Sequence, residues 1–155
     1  MTQLLSLLML CLAWVTPGAV AASDEAVLRV SFADFYRSPV GPRGLEPGPK
    51  LLAAAGARVQ LTGFVARGSV VQSATDVAII APLPVSLGDE DEGLADDLPA
   101  AIAYLHSTDV RVAASLAACN HAVRVTGRLE LGRQAERDGR ISFVRLLADD
   151  VQCAP

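Results

Sequence analysis

After position 22 the chain contains no methionine and no tryptophan, and only two cysteines, Cys119 and Cys153, remain. A domain held together by several disulfides is therefore excluded, because it would need more cysteines. The 13 basic and 17 acidic residues all lie after position 23, and a chain so charged is not a polytopic membrane protein. With 155 residues in all, the chain is also too short for a large multidomain enzyme, and a single domain is predicted.

Charge is missing from the first 23 residues, where apolar side chains dominate from Leu4 to Val15. This run is shorter than the roughly 20 residues that a transmembrane helix needs. Small residues follow it and offer two positions for signal-peptide cleavage, before Ala22 or before Ser23. Residues 1–22 are therefore predicted to be a cleavable signal peptide, with an uncleaved anchor or a buried helix as alternatives. The mature protein is expected to be periplasmic or secreted, without a transmembrane anchor.

Export makes the two remaining cysteines informative. An oxidising compartment favours the pairing of Cys119 with Cys153, and such a bridge would tie the last strand to the centre of the chain. Two free, buried thiols are the alternative. A redox-active pair is not expected, because the sequence has no C-x-x-C motif.

Proline and glycine divide the mature chain into two parts. Residues 38–49 contain four prolines and three glycines, which argues against a helix or a central strand there. Residues 23–57 are therefore predicted to form an N-terminal arm that wraps the surface and ends in a short helix near Lys50. Residues 58–155 are predicted to form the folded domain.

Two segments of this domain repeat one pattern. Val59–Gly68 and Val123–Gly132 both read V-x-[LV]-T-G-x-[VL]-x-x-G, and alternating apolar residues in each predict a β-strand. A glycine in the middle of a strand weakens the strand unless it bends there. The repeat therefore predicts two strongly bent strands of one small barrel.

The order of the remaining elements indicates a fold. Strands are predicted near residues 76–81, 100–106 and 141–151, and a helix is predicted from Asp109 to about Ala118. Three strands, one helix and two strands follow each other in this order in an OB-fold. The predicted class is mostly β: a small five-stranded OB-like Greek-key barrel with one helix between strands 3 and 4, preceded by the Pro/Gly-rich arm.

In this pattern the chain resembles uncharacterised exported bacterial proteins that have an OB-like domain. The resemblance is carried by Val59–Phe64, by Ala81-Pro82-Leu83-Pro84 and by Val123–Leu131, and it covers about residues 31–151. It implies a fold but no catalytic residue, and the function of such proteins is unknown.

Histidine is scarce, which limits the catalytic chemistry. A serine or cysteine hydrolase needs a nucleophile beside a base, yet the chain has only His106 and His121 and no G-x-S-x-G motif. Cys119 could act with His121 only if it were outside a disulfide. No glycine-rich phosphate loop joins a strand to a helix, so nucleotide hydrolysis has no support either. The protein is expected not to be an enzyme, with a small hydrolase as an alternative.

Metal binding is another alternative. Zinc takes three or four ligands, and His106, His121 and Asp109 would supply them if the third and fourth strands converge. The acidic segment from Gly88 to Asp97 would offer carboxylates to calcium, but it lacks the EF-hand spacing. A solvated loop is the favoured interpretation of this segment, and no cofactor is predicted.

The charge balance bears on the partner. A net charge of −4, together with export, argues against nucleic acid. Arginines nevertheless cluster in the last two strands and their hairpin, at positions 124, 128, 133, 137, 140 and 145, and they would suit a local anionic partner. The sequence therefore predicts a non-enzymatic binding or accessory module that recognises an envelope or periplasmic protein or another envelope component. Phe64 and Tyr104 are the predicted binding face, and no oligomeric state is predicted.

Overall fold

The structure is a computed structural model that describes residues 25–69, 77–88, 98–137 and 139–154. The predicted signal peptide and residues 89–97 of the acidic segment lie outside the described residues. Within the described ranges, no helix is both long enough and apolar enough to cross a membrane.

Six strands and two α-helices lie in the described residues. In chain order they are β1 (Leu28–Arg29), α1 (Pro49–Ala53), β2 (Arg58–Val65), β3 (Ala78–Ala81), β4 (Ala103–His106), α2 (Val110–Ala118), β5 (Val123–Ala135) and β6 (Ile141–Cys153). A 3₁₀ turn over Phe32–Asp34 lies between β1 and α1.

Five of the strands close into a ring. β2 pairs with β3, β3 with β4, β4 with β6 and β6 with β5, and β5 pairs back to β2. β4 and β6 run parallel, and the other neighbours in the ring are antiparallel. β1 adds a short sixth strand, parallel to β2. The mostly β class is confirmed, with five strands in the ring and α2 between the third and fourth of them.

The Pro/Gly-rich arm contributes to the core of the ring. Phe35 and Leu51 are buried and belong to the same apolar cluster as the inward-facing residues of the strands. Asp34 fixes this part of the arm, because its carboxylate accepts hydrogen bonds from the Ser31 backbone and hydroxyl and from Lys50 Nζ, each at 2.8 Å. Through Phe35 and Leu51 the arm packs against the residues of the ring.

The two repeated segments are neighbours in the ring. β2 and β5 run antiparallel with Leu61 opposite Val125. Each mid-strand glycine therefore lies opposite the first valine of the other repeat, Gly127 opposite Val59 and Gly63 opposite Val123.

Both mid-strand glycines allow a neighbouring strand to approach closely. A Cβ atom on Gly127 would lie 2.2 Å from the carbonyl oxygen of Leu147, and one on Gly63 would lie 2.6 Å from that of Ala81. The pairing of β5 with β6 also shifts its register beside Gly127, which is typical of a β-bulge. Glycine is thus needed at these two points of the ring because no side chain fits.

The hairpin between β5 and β6 differs from the prediction. The sequence predicts a polar loop from Gly132 to Gly139, but β5 continues through Gly132 to Ala135. This boundary is wrong because Gly132, with φ of +124°, forms part of a second bulge, where Gly132 and Arg133 lie opposite the single residue Phe143. The hairpin therefore extends past the residues of β5 and β6 that pair with β2 and β4.

A disulfide joins Cys119 and Cys153, with Cα atoms 5.4 Å apart, and this agrees with the predicted pairing. Cys119 follows the last residue of α2, and Cys153 ends β6. Beside the bridge, the N–H of Ala154 donates to the carbonyl of Ala122 at 2.7 Å. The end of the last strand is thereby fixed to the end of the helix.

Candidate functional site

A cavity of about 500 Å³ lies between the end of β4 and the hairpin of β5 and β6. Its polar lining comprises His106, Ser107, Thr108, Glu136, Arg137 and Arg145, and its apolar lining comprises Val77, Ala135, Leu147 and Ala148. We call it the His106 cavity. Its volume falls within the range of small-molecule sites, roughly 300–1,000 Å³.

Glu136 is the centre of a buried polar network in this cavity. Its side chain is only 3% exposed, and one carboxylate oxygen accepts a hydrogen bond from the Ser142 hydroxyl and lies 3.4 Å from Arg145 Nε. The other oxygen lies 3.1 Å from His106 Nε2. Arg145 also pairs with Glu130, through Nη1 at 3.3 Å. These partners compensate a carboxylate that would be costly to bury alone.

His106 Nε2 has two neighbours that require different protonation. Arg145 Nε lies 3.3 Å away and donates to a lone pair on Nε2, whereas an interaction with Glu136 at 3.1 Å requires a proton there. The neutral ring carries one proton and therefore serves one partner at a time. Burial lowers the pKa of His106, and the neighbouring Arg145 lowers it further, although Glu136 and Glu130 act in the opposite direction.

Neither Ser142 nor the predicted pair of Cys119 and His121 supplies an accessible nucleophile beside a base. Ser142 is hydrogen-bonded to Glu136 but is fully buried, so its hydroxyl does not reach the surface. Cys119, the thiol that His121 would activate, is bonded to Cys153. Nucleophilic catalysis needs an accessible nucleophile beside a base, and neither Ser142 nor Cys119 meets this requirement.

The three residues of the predicted metal alternative lie apart. His106 lines the cavity described above, His121 lines a second cavity beside the disulfide, and Asp109 lines a third beside α2. Asp109 is the N-cap of α2, and its carboxylate accepts hydrogen bonds from the backbone and guanidinium of Arg111. In the described part of the chain, no three His, Cys, Asp or Glu residues are grouped so that they could hold a metal ion.

The two aromatic residues of the predicted binding face have different surroundings. Phe64 in β2 is half-buried and lines the cavity beside the disulfide, together with His121. Tyr104 in β4 is only 4% exposed and packs in a second apolar cluster with Ile79 and Val85. Tyr104 adds no exposed surface to a binding face, because the chain after β3 covers this side of β4.

The hairpin exposes Phe143, which the sequence did not single out, beside Arg133 of the predicted arginine cluster. Phe143 is 58% exposed and lies opposite the bulge formed by Gly132 and Arg133. Within the described ranges, no hydrogen bond or ion pair involves the side chain of Arg133 or of Arg137. We call Phe143, Gly132 and Arg133 the hairpin surface. No alternation in the sequence marks Phe143 as exposed, because one of its two buried neighbours is the polar Ser142 and the other is the apolar Val144.

Comparisons with known proteins bear on the fold. No protein-family model matches the chain, and no curated protein matches it. The chain is similar to the crystal structure of a DUF3299 family protein from Pseudomonas aeruginosa PAO1, with 10% sequence identity and a TM-score of 0.52. The similarity covers 84% of this chain and 97% of that chain. At this identity the likeness concerns the fold alone, and the arrangement of elements in this chain is therefore shared with another solved protein.

Proposed function

We propose that the protein is an exported, non-enzymatic, OB-like binding module that recognises a protein or another envelope component through the hairpin surface. The observation that carries the proposal is the exposure of Phe143 on a hairpin that extends past the ring, beside Arg133, whose side chain has no hydrogen bond or ion pair in the described residues.

The strand order of the ring supports an OB-like classification. Counted along the chain, the first to fifth strands of the ring are β2, β3, β4, β5 and β6. Around the ring they are neighbours in the order first, second, third, fifth and fourth. The third and fifth strands are parallel, and a helix follows the third. In OB-folds the loop between the fourth and fifth strands takes part in ligand binding. In this chain the corresponding loop is the tip of the hairpin between β5 and β6.

The chemistry of the hairpin surface indicates what kind of partner would bind. Aromatic residues and arginine are enriched in protein interfaces, where the ring supplies apolar contact area and the guanidinium donates several hydrogen bonds. Phe143 and Arg133 lie opposite each other on the two strands. A partner with an apolar contact flanked by negative charge would complement both.

Site-specific photo-crosslinking tests the proposed surface. Phe143 is replaced by a photoreactive phenylalanine analogue in the full-length protein, which is produced in its own cells. Leu83, an exposed residue after β3, is replaced in the same way as the matched control. We expect an adduct of defined mass from position 143 and none from position 83. Excess unlabelled wild-type protein should compete for this adduct, and excess Phe143→Ser protein should not. The proposal is wrong if position 143 forms no adduct, or if both positions form the same one.

Cell fractionation tests the proposed export. The full-length protein is compared with a variant that lacks residues 2–22. We expect the full-length protein to be shortened by the mass of the signal peptide and to leave the cytoplasm, while the truncated variant stays there. An unshortened full-length protein in the cytoplasm would contradict export.

A further inference from the structure

We propose that the His106 cavity binds a small organic anion, namely a carboxylate or phosphate group attached to a short apolar body. This site goes beyond the proposed function, because it does not depend on the partner of the hairpin surface.

The carboxylate in the cavity already has partners for both of its oxygens. Glu136 is the one acidic residue among the described lining residues. One of its oxygens faces Ser142 and Arg145, and the other faces His106. A carboxylate whose oxygens are both engaged offers little to a further cation or donor. The cavity therefore does not suit a cationic ligand.

Hydrogen-bond donors in the lining of the cavity remain available to a ligand. Arg137 lines the cavity, and no hydrogen bond or ion pair to it occurs in the described parts of the chain. The Ser107 hydroxyl accepts a hydrogen bond from the N–H of Asp109 at 3.1 Å, which leaves its own proton free to donate. Thr108 supplies a second hydroxyl beside it. A guanidinium with two hydroxyls is a set of groups that binds carboxylate or phosphate oxygens.

Of the two arginines in the described lining, only one is not already engaged by carboxylates. Arg145 lies between two carboxylates, Glu136 and Glu130, at 3.4 and 3.3 Å, so its charge is already compensated. Arg137 is therefore the cation of the lining that remains for a ligand. One group of opposite charge would complement it.

The apolar residues of the lining indicate that the rest of the ligand is apolar. Val77, Ala135, Leu147 and Ala148 contribute apolar wall to the same cavity. Small-molecule sites commonly combine such walls with a few polar groups that orient the ligand. An anion attached to a short alkyl chain would use both parts of the cavity.

Calorimetric titration with three probes tests the proposal. The processed protein, purified after expression of the full chain, is titrated with acetate, butyrate and inorganic phosphate in a buffer without other oxyanions. We expect saturable one-to-one binding with a Kd of about 1 mM or lower for at least one probe. Butyrate binding up to about tenfold tighter than acetate would identify a carboxylate ligand and contact with the apolar wall. Phosphate binding tighter than both would identify a phosphate ligand.

Variants locate the binding. Arg137→Gln and Thr108→Val should each weaken binding by about fivefold or more. Arg133→Gln removes an arginine from the same hairpin outside the cavity lining, and it should bind like the wild type. Backbone NMR shifts should be confined to residues that line the cavity, around positions 77, 106–108, 135–137 and 145–148. The proposal is overturned if none of the three probes saturates below about 10 mM, or if Arg137→Gln binds as well as Arg133→Gln.

Discussion

Gly127→Ala should destabilise the ring strongly. The added Cβ would lie 2.2 Å from the carbonyl oxygen of Leu147 and 2.8 Å from Cα of Ala148. Non-bonded heavy atoms prefer separations of about 3.5–4.0 Å, so β5 and β6 would have to separate by on the order of 1 Å. Both contacts are with backbone atoms, and no change of side-chain rotamer relieves them. Overpacking costs typically about 1–3 kcal/mol, and we expect a loss near the upper end, about 3 kcal/mol.

Urea denaturation followed by far-UV circular dichroism measures this loss. Gly41→Ala is the matched control, because a Cβ at Gly41 has no atom within 4 Å and the residue does not have a positive φ. This control should change the free energy of unfolding by less than about 0.5 kcal/mol. If Gly127→Ala were as stable as Gly41→Ala, the explanation of the mid-strand glycine by the close approach of β6 would be refuted.

Contacts elsewhere in the molecule should determine the free energy of unfolding of three other variants. Replacing both Cys119 and Cys153 by alanine should lower the free energy of unfolding by about 3–4 kcal/mol, because the bridge spans 34 residues; equal urea midpoints would contradict this. Asp34→Asn should cost about 1 kcal/mol at neutral pH, since the hydrogen bonds from Lys50 and from the backbone and hydroxyl of Ser31 lower the pKa of Asp34 from 3.8 to about 2. A carboxyl group with a lowered pKa stabilises the fold above its unperturbed pKa and loses this effect as the pH falls through about 2. The gap in stability between wild type and Asp34→Asn should therefore close on acidification, and a constant gap would contradict the assignment. Glu136→Gln should cost about 1.5–3 kcal/mol, because it removes the charge that its buried partners require, and an unchanged melting curve would show that the network does not stabilise the fold.

Much of the order of elements could be predicted because it rests on local patterns. Alternating apolar residues identify β2 and β5, and a helix was predicted from Asp109, whereas the structure makes Asp109 the N-cap and begins α2 at Val110. The predicted end of β5 at Gly132 was wrong. Glycine is favoured wherever φ is positive, in a bulge as much as in a turn, so the residue type alone does not distinguish the two. The parallel pairing of β4 with β6 depends on residues about 40 positions apart, and no local pattern reports it.

The candidate site was harder to predict for a similar reason. His106 was recognised as a residue that can carry chemistry, but its partner Glu136 stood in a segment that read as a polar loop. Glu136 is buried only because the longer hairpin carries it to the end of β4. Tyr104 was expected on a binding face because of the OB-like strand order, whereas its burial depends on the segment after β3 that packs over it. Long-range packing thus decided both outcomes.

The position of β6 between β4 and β5 has a consequence for when the protein folds. β6 is the last strand along the described chain, yet the ring cannot close without it, since β4 and β5 are joined only through β6. A nascent chain that has been made only as far as residue 140 therefore lacks the strand that joins the two parts of the ring. Contacts between residues distant in sequence also form slowly. The ring stays open until synthesis has passed β6, although four of its five strands have been made before β6.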